Sequence, residues 1–104
     1  MFSHSVYFWL REDLSASQVT AFLDGIESLR RIDGVHHGFI GTPAATDRAI
    51  IERSYTHALV LLFPDAKAHD TYQVHPVHDA FRARCAGFWS RIVIYDAIGD
   101  GVGR

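Results

Sequence analysis

The chain is 104 residues long and carries ten basic and twelve acidic side chains, and its formal charge of -2 without a run of one sign argues against a nucleic-acid-binding surface. The length suits a single domain, no apolar stretch approaches the ~20 residues of a membrane helix, and the first residues lack the features of a signal peptide, so we expect a cytoplasmic location and no membrane partner. The single Cys85 allows no internal disulfide, and we assign it no catalytic role.

The first half of the chain predicts a strand, a helix and a second strand. Residues 2–10 are β-rich and apolar on both parities, as expected for a strand that is covered on both sides. Ser15 is a suitable cap for an amphipathic helix, and Gly34 is a plausible stop. Residues 35–41 predict the second strand, whereas residues 47–54 fit either a helical turn or a longer loop.

The second half predicts another strand, two helical segments and a last strand. Residues 55–63 alternate as the clearest strand in the sequence. Residues 64–72 predict a short helix, and Pro76 suits the first turn of a helix that runs over residues 76–88. The last strand is predicted over residues 90–97, and the remaining glycine-rich residues form an expected loose tail.

The order β, α, β, β, α, β predicts an α+β domain over residues 1–97, followed by a flexible tail over residues 98–104. This order is typical of the ferredoxin-like fold, an antiparallel sheet with its helices on one face. The other face is predicted to be apolar as well, with Tyr7, Trp9, Ala58, Val60 and Leu62. We therefore expect a homodimer in which two sheets pack face to face into an α/β barrel.

Two histidines share the helix-facing side of the predicted sheet. His4 and His57 lie on the first and third strands, which are the central neighbours of this topology, so the two side chains are expected beside one another. Each is a candidate for lining a pocket, and each can equally be a packed strand residue that hydrogen-bonds a neighbour.

The stretch TYQVHPVHDAF adds candidate catalytic groups. If Pro76 begins the helix, His75 is its cap and His78 its third residue. A helix start disfavours an imidazolium, so His78 is expected to stay neutral, the form that a general base needs. Tyr72 precedes the helix, and its hydroxyl is suited to stabilising negative charge on a carbonyl oxygen.

Four stretches carry a resemblance to a known family: HSVYFWL, YTHALVLLF, YQVHPVHDAF and RIVIYD. Over residues 2–97 the chain resembles the stress-responsive dimeric α/β-barrel (Dabb) family, and the Tyr-x-x-His-Pro-x-His-x-x-Phe stretch is the most specific part of the likeness. The family includes polyketide cyclases similar to olivetolic acid cyclase, which use neither a metal nor an organic cofactor. Other members have no assigned chemistry.

The resemblance implies a role for each matching residue. Tyr72 would polarise the carbonyl of a small apolar substrate, and His78 would abstract the proton. His4 and His57 would line the pocket, and His75 would support it. The expected protein is thus a homodimer with a small-molecule pocket, possessing the activity of a cofactor-free cyclase, lyase or isomerase. The alternative is a non-catalytic stress-responsive homodimer with a ligand-binding or structural role.

Several alternatives stay open for these residues. Phe63 and Phe81 are candidate substrate contacts, although core or interface packing is the simpler interpretation. Tyr72 and His78 can also form a buried hydrogen bond that only organises the turn.

A metal site is the sharper alternative, built from His75 and His78 with His4 or His57 opposite, but no Asp, Glu or Cys stands at a matching position, so no metal is assigned. The remaining residues of interest receive no role: His36, His37 and His69 are expected at exposed or edge positions, and Asp96 at the end of the last strand, where it can meet an arginine.

Overall fold

The computed structural model describes residues 1–100, which form four strands and three α-helices. The elements are β1 (Phe2–Leu10), α1 (Ala16–Arg30), β2 (His37–Gly41), β3 (His57–Phe63), α2 (Ala66–Gln73), α3 (Pro76–Cys85) and β4 (Trp89–Ile98). The predicted ferredoxin-like α+β fold is confirmed. Within the described residues, no helix has the length and apolar composition to span a membrane.

The sheet is antiparallel, with strand order β2-β3-β1-β4. Its helix-facing side contributes the buried Val6, Phe8, Leu59 and Leu61, which pack against apolar residues of the helices in one core. The register also brings His4 of β1 opposite Asp96 of β4. That pairing positions a carboxylate on the buried side of the sheet.

The helices α1 and α3 begin where the sequence predicts, and α2 begins two residues later than predicted. The Ser15 side chain accepts a hydrogen bond from the Gln18 backbone N–H, and the Gln18 side chain accepts one from the Ser15 N–H, which forms a capping box at the start of α1. Asp65 caps α2. His75 caps α3, because its Nδ1 accepts a hydrogen bond from the Val77 N–H at 3.0 Å.

Several predicted ends differ from the structure. The helix α1 ends at Arg30, before Gly34, whose φ of 98° belongs to the following turn. The helix α3 ends at Cys85 and passes into a 3-10 turn over Ala86–Phe88, because the chain must bend there to enter β4. The strands β2 and β3 each begin two residues later than predicted, and residues 47–54 contain a turn but no helix or strand.

The last strand is longer than predicted, since β4 includes Ile98. The Gly99 N–H donates a hydrogen bond to the Met1 carbonyl at 3.0 Å, and the amino group of Met1 donates to the Gly99 carbonyl at 2.7 Å. The chain is therefore held to β1 up to this point. The predicted loose tail otherwise falls on residues 101–104, which lie outside the described part of the chain.

A glycine lets α1 and α3 approach closely. A Cβ atom at Gly25 would lie 2.7 Å from Cδ1 of Phe81, so a side chain there would displace that ring. The ring of Phe81 can consequently pack against Phe22 and Trp89, with ring centroids 6.4 and 5.8 Å away. This contact fixes one wall of a cavity between the sheet and the helices.

Candidate active-site cavity

A cavity of about 430 Å³ lies between the helix-facing side of β1 and β4 and the helices α2 and α3. This volume suits a small organic ligand. The apolar part of its lining is formed mainly by Val6, Phe8, Leu29, Leu59, Phe81, Trp89, Ile92 and Ile94, and the polar part by His4, Tyr72, Gln73, His78 and Arg82. The arrangement is an apolar chamber with a few convergent polar groups.

Tyr72 and His78 meet at the junction of α2 and α3. Tyr72 is buried on the last turn of α2, and its ring contacts His78 edge to face, with centroids 5.0 Å apart. Nδ1 of His78 is buried and has no hydrogen-bond partner among the described residues. A Tyr–His hydrogen bond that organises the turn therefore does not involve this nitrogen.

The surroundings set the protonation of both groups. Burial, followed by the positive charge of Arg82, holds the pKa of His78 below its usual value, and Asp79 opposes this only in part. Burial also raises the pKa of the Tyr72 hydroxyl well above its usual value. At neutral pH the cavity consequently holds a neutral imidazole beside a protonated phenol.

His4 lies on the β4 side of the same cavity and contacts two other polar groups. Its Nδ1 lies 2.5 Å from Oδ1 of Asp96 and 3.2 Å from Nε2 of His69. The carboxylate holds the imidazole from one side, and the ring of Tyr72 lies 5.7 Å away by centroid distance on the other. His4 is thus a hydrogen-bonded member of the cavity wall rather than only a packed strand residue.

The predicted positions of His69 and Asp96 are wrong. His69 is 4% exposed and stacks on Phe2 with ring centroids 4.3 Å apart. It shares the inner face of α2 with Tyr72, three residues later, and this spacing was the signal that could have found it. Asp96 lies two residues before the end of β4 and contacts His4 instead of an arginine, because the strand register places those two residues opposite one another.

His57 does not sit beside His4. It pairs with Phe8, four residues further along β1, and it is not among the residues that line the cavity. The Thr56 hydroxyl has one hydrogen and donates it to the Phe8 carbonyl. Nδ1 of His57 therefore donates a hydrogen bond to the Thr56 oxygen, 3.1 Å away. Its ring contacts Phe22, and burial lowers its pKa.

The other predicted site residues divide between the cavity and its support. Phe81 lines the cavity. Phe63 is fully buried behind it, against the rings of His69 and Tyr72. His75 lies outside, since it caps α3 and lines a separate surface depression beside α1.

The comparisons with known proteins agree on the fold. A family model described as "Stress responsive A/B Barrel Domain" matches residues 2–98. No functionally curated protein sequence matches the chain.

Many solved structures share this fold, and three show its range. The hydroxynitrile lyase from Passiflora edulis superposes with a TM-score of 0.78 at 20% identity, over 99% of this chain and 96% of the lyase. A Dabb family protein with a ferredoxin-like fold from Mesorhizobium loti is 25% identical, with a TM-score of 0.75 over 96% of this chain and 97% of that one. A dimeric ferredoxin-like protein of unknown function from Thermobifida fusca is 21% identical, with a TM-score of 0.73 over 92% and 88% of the two chains.

Proposed function

We propose that this chain, which belongs to the stress-responsive A/B barrel domain family, binds a small apolar carbonyl compound and abstracts a proton next to the carbonyl. The cavity supports this reaction because it places a neutral histidine next to a phenol. The observation that carries this proposal is that His78 and Tyr72, whose rings are in contact, both line a cavity of about 430 Å³.

The reaction needs only two groups of the chain. The bond between the α-carbon and its hydrogen breaks, the proton passes to neutral His78, and the electron pair moves onto the carbonyl oxygen, where the Tyr72 hydroxyl donates a hydrogen bond. In a cyclisation the resulting enolate attacks a second carbonyl carbon, whose π electron pair moves onto its oxygen, and that oxygen takes the proton back from His78. In an isomerisation the enolate takes the proton back at another carbon. The Passiflora edulis neighbour is a hydroxynitrile lyase, which is consistent with lyase chemistry on this fold, while its 20% identity carries the fold alone.

A hydrogen–deuterium exchange assay tests the proposal without knowledge of the natural substrate. Phenylacetone and related arylacetones are incubated with the full chain in D₂O, and loss of the α-proton signal of the ketone is followed by NMR. We expect exchange faster than in buffer, a fall of about 10²–10⁴-fold for His78→Ala, and a smaller fall for Tyr72→Phe.

His57→Ala is the matched control, because this histidine is half-buried on the same side of the sheet but lies outside the cavity lining. The His57→Ala variant should exchange the α-proton of the ketone at nearly the rate of the unaltered chain. If His78→Ala is as active as the unaltered chain, His78 is not the base. If no ketone exchanges above the buffer rate although it binds the cavity, the chain is a non-catalytic binding protein.

We also propose that the chain forms a homodimer through the sheet face opposite the helices. Phe39 and Tyr95 on this face are 54% and 66% exposed, and the Thermobifida fusca neighbour is described as dimeric. Sedimentation should give twice the chain mass, and Tyr95→Lys combined with Phe39→Lys should shift it to the single-chain mass. Val74→Lys is the control, since Val74 is 75% exposed at the end of α2, away from the sheet, and this variant should remain a dimer. If the Tyr95→Lys, Phe39→Lys variant remains a dimer, this sheet face is not the interface.

A further inference from the structure

Three metal-binding side chains from three elements converge beside the cavity. Nδ1 of His4 on β1, Nε2 of His69 on α2 and one carboxylate oxygen of Asp96 on β4 all lie within 4.8 Å of one another. Both imidazoles are more than nine-tenths buried, at 6% and 4% exposure. We propose that these three residues bind a divalent transition-metal ion of the Zn²⁺ class. This site is distinct from the proposed proton abstraction, which uses no metal.

The hydrogen-bonding capacity of His4 favours a shared cation. A ring nitrogen carries either one hydrogen or one lone pair, yet Nδ1 of His4 lies at 2.5 Å from Asp96 and at 3.2 Å from His69. One hydrogen cannot form a full hydrogen bond to both neighbours. A metal ion between the three atoms would accept a lone pair from each of them.

The spacing fits zinc with a small adjustment. Zinc bonds to imidazole nitrogen and carboxylate oxygen are about 2.0–2.2 Å long, so two ligand atoms at a near-tetrahedral angle lie roughly 3.3 Å apart. The two histidine nitrogens, at 3.2 Å, already have this separation. The carboxylate oxygen must move away from Nδ1 of His4 by less than about 1 Å. It must also settle near Nε2 of His69, within 4.8 Å of which it already lies. The Asp96 side chain is 42% exposed and therefore has room to move.

A half-turn of one neighbouring side-chain amide would support the ligand geometry of His69. The amide nitrogen of Gln73 lies 3.4 Å from Nδ1 of His69. Amide oxygen and nitrogen exchange places by a half-turn, and with the oxygen inward Gln73 accepts a hydrogen bond from Nδ1–H. That tautomer leaves the lone pair on Nε2, as in metal sites whose histidines donate their other N–H to a neighbour. The rings of Phe2 and Phe63 hold the imidazole plane.

The donor set also selects the class of metal. Two imidazoles and one carboxylate are the ligands of Zn²⁺ and its neighbours in the first transition series, and they are poor ligands for Mg²⁺ or Ca²⁺, which prefer oxygen. Three protein ligands leave a coordination position open for water or for a ligand oxygen. Because His4 also lines the cavity, an ion here would lie at the cavity wall.

Titration of the full chain, free of any affinity tag, tests the site. We expect one equivalent of Zn²⁺ to bind by calorimetry with a dissociation constant at or below the micromolar range. Co²⁺ should give the visible absorption bands of a tetrahedral or five-coordinate ion. His69→Gln and Asp96→Asn should each weaken binding at least 100-fold, and Gln73→Ala about 10-fold or more.

Two controls separate this site from other effects. His37→Gln, on an exposed histidine of β2, should leave the affinity unchanged. Tyr72→Phe should also keep the metal while slowing ketone exchange, so failure of the metal site and failure of the proposed function are distinguishable. Should His69→Gln not fold, the half-exposed Asp96→Asn and the cobalt spectrum of the unaltered chain test the site in its place. The proposal is overturned if no stoichiometric ion binds, or if Asp96→Asn binds as tightly as the unaltered chain.

Discussion

The surroundings of His4 and of His57 differ, although both residues lie on central strands and face the helices. His4 contacts a carboxylate and a second imidazole, and it lines a cavity. His57 hydrogen-bonds its neighbour Thr56 and packs against Phe22. Both residues lie at inward-facing positions of their strands, so the alternation of side chains along a strand determines which sheet face each residue occupies. It does not determine which groups each residue contacts. What differs is the element that lies alongside, because α2 and β4 bring polar groups to His4 and α1 brings a phenylalanine to His57.

Removal of the ring that packs on His57 should have the largest effect on stability. Phe22 is fully buried and contacts Phe8, His57, Phe81 and Trp89. Phe22→Ala should lower the free energy of unfolding by about 3–5 kcal/mol, because it leaves a cavity in the core. Chemical denaturation measures this change. Val74→Ala, at a 75% exposed site, should stay within about 0.5 kcal/mol. A loss below about 1 kcal/mol for Phe22→Ala would mean that this side of the sheet is not tightly packed.

A smaller effect is expected where α1 approaches the cavity wall. Gly25→Ala would place a Cβ 2.7 Å from the Phe81 ring, and the strain of about 1–3 kcal/mol should outweigh the helix propensity gained from alanine. The free energy of unfolding should therefore fall. The affinity for phenylacetone should also change, because Phe81 lines the cavity and would move. Gly87→Ala is the matched control, because no atom lies within 4 Å of its added Cβ. A more stable Gly25→Ala variant would contradict this packing.

The smallest predicted effect is on the pH dependence of stability. Burial lowers the pKa of both His57 and His78 in the folded chain, below the ordinary value of 6.5. Both are neutral in the folded and unfolded chain above that pH. As the pH falls through 6.5 the unfolded chain takes up protons first, so stability is lost between the ordinary pKa and the lowered one. The double variant His57→Gln, His78→Gln should make the unfolding midpoint depend less steeply on pH over this window. Part of the slope should remain, because burial also lowers the pKa of His69. An unchanged slope would contradict the burial of His57 and His78.

Local patterns predicted most of the fold. Ser15 and Pro76 marked the starts of α1 and α3, because caps and first-turn prolines act through their immediate neighbours. The ends were less accurate, as at Cys85, where the helix ends three residues before the predicted end although Gly87 offers a local stop signal. The sheet order followed from the order of the elements, since this arrangement has few compatible topologies.

The candidate site was only partly predictable. Tyr72 and His78 were found because they lie six residues apart around one helix start. Asp96 was missed because only the pairing register of β1 with β4 brings it to His4. The sequence of either strand alone does not determine that register. His69 was missed because its position becomes informative only together with its buried neighbour Tyr72 on the same short helix.

The most direct test of the ligand site is to titrate the full chain with phenylacetone and follow its histidine ring nitrogens by NMR. The ring signals of His78 and His4 should shift with one common dissociation constant, because both residues line the cavity. The signals of His57 should stay in place, because its ring lies outside that lining. Equal shifts at His57, or no shift at His78 at saturating ketone, would contradict the assignment of this cavity as the ligand site.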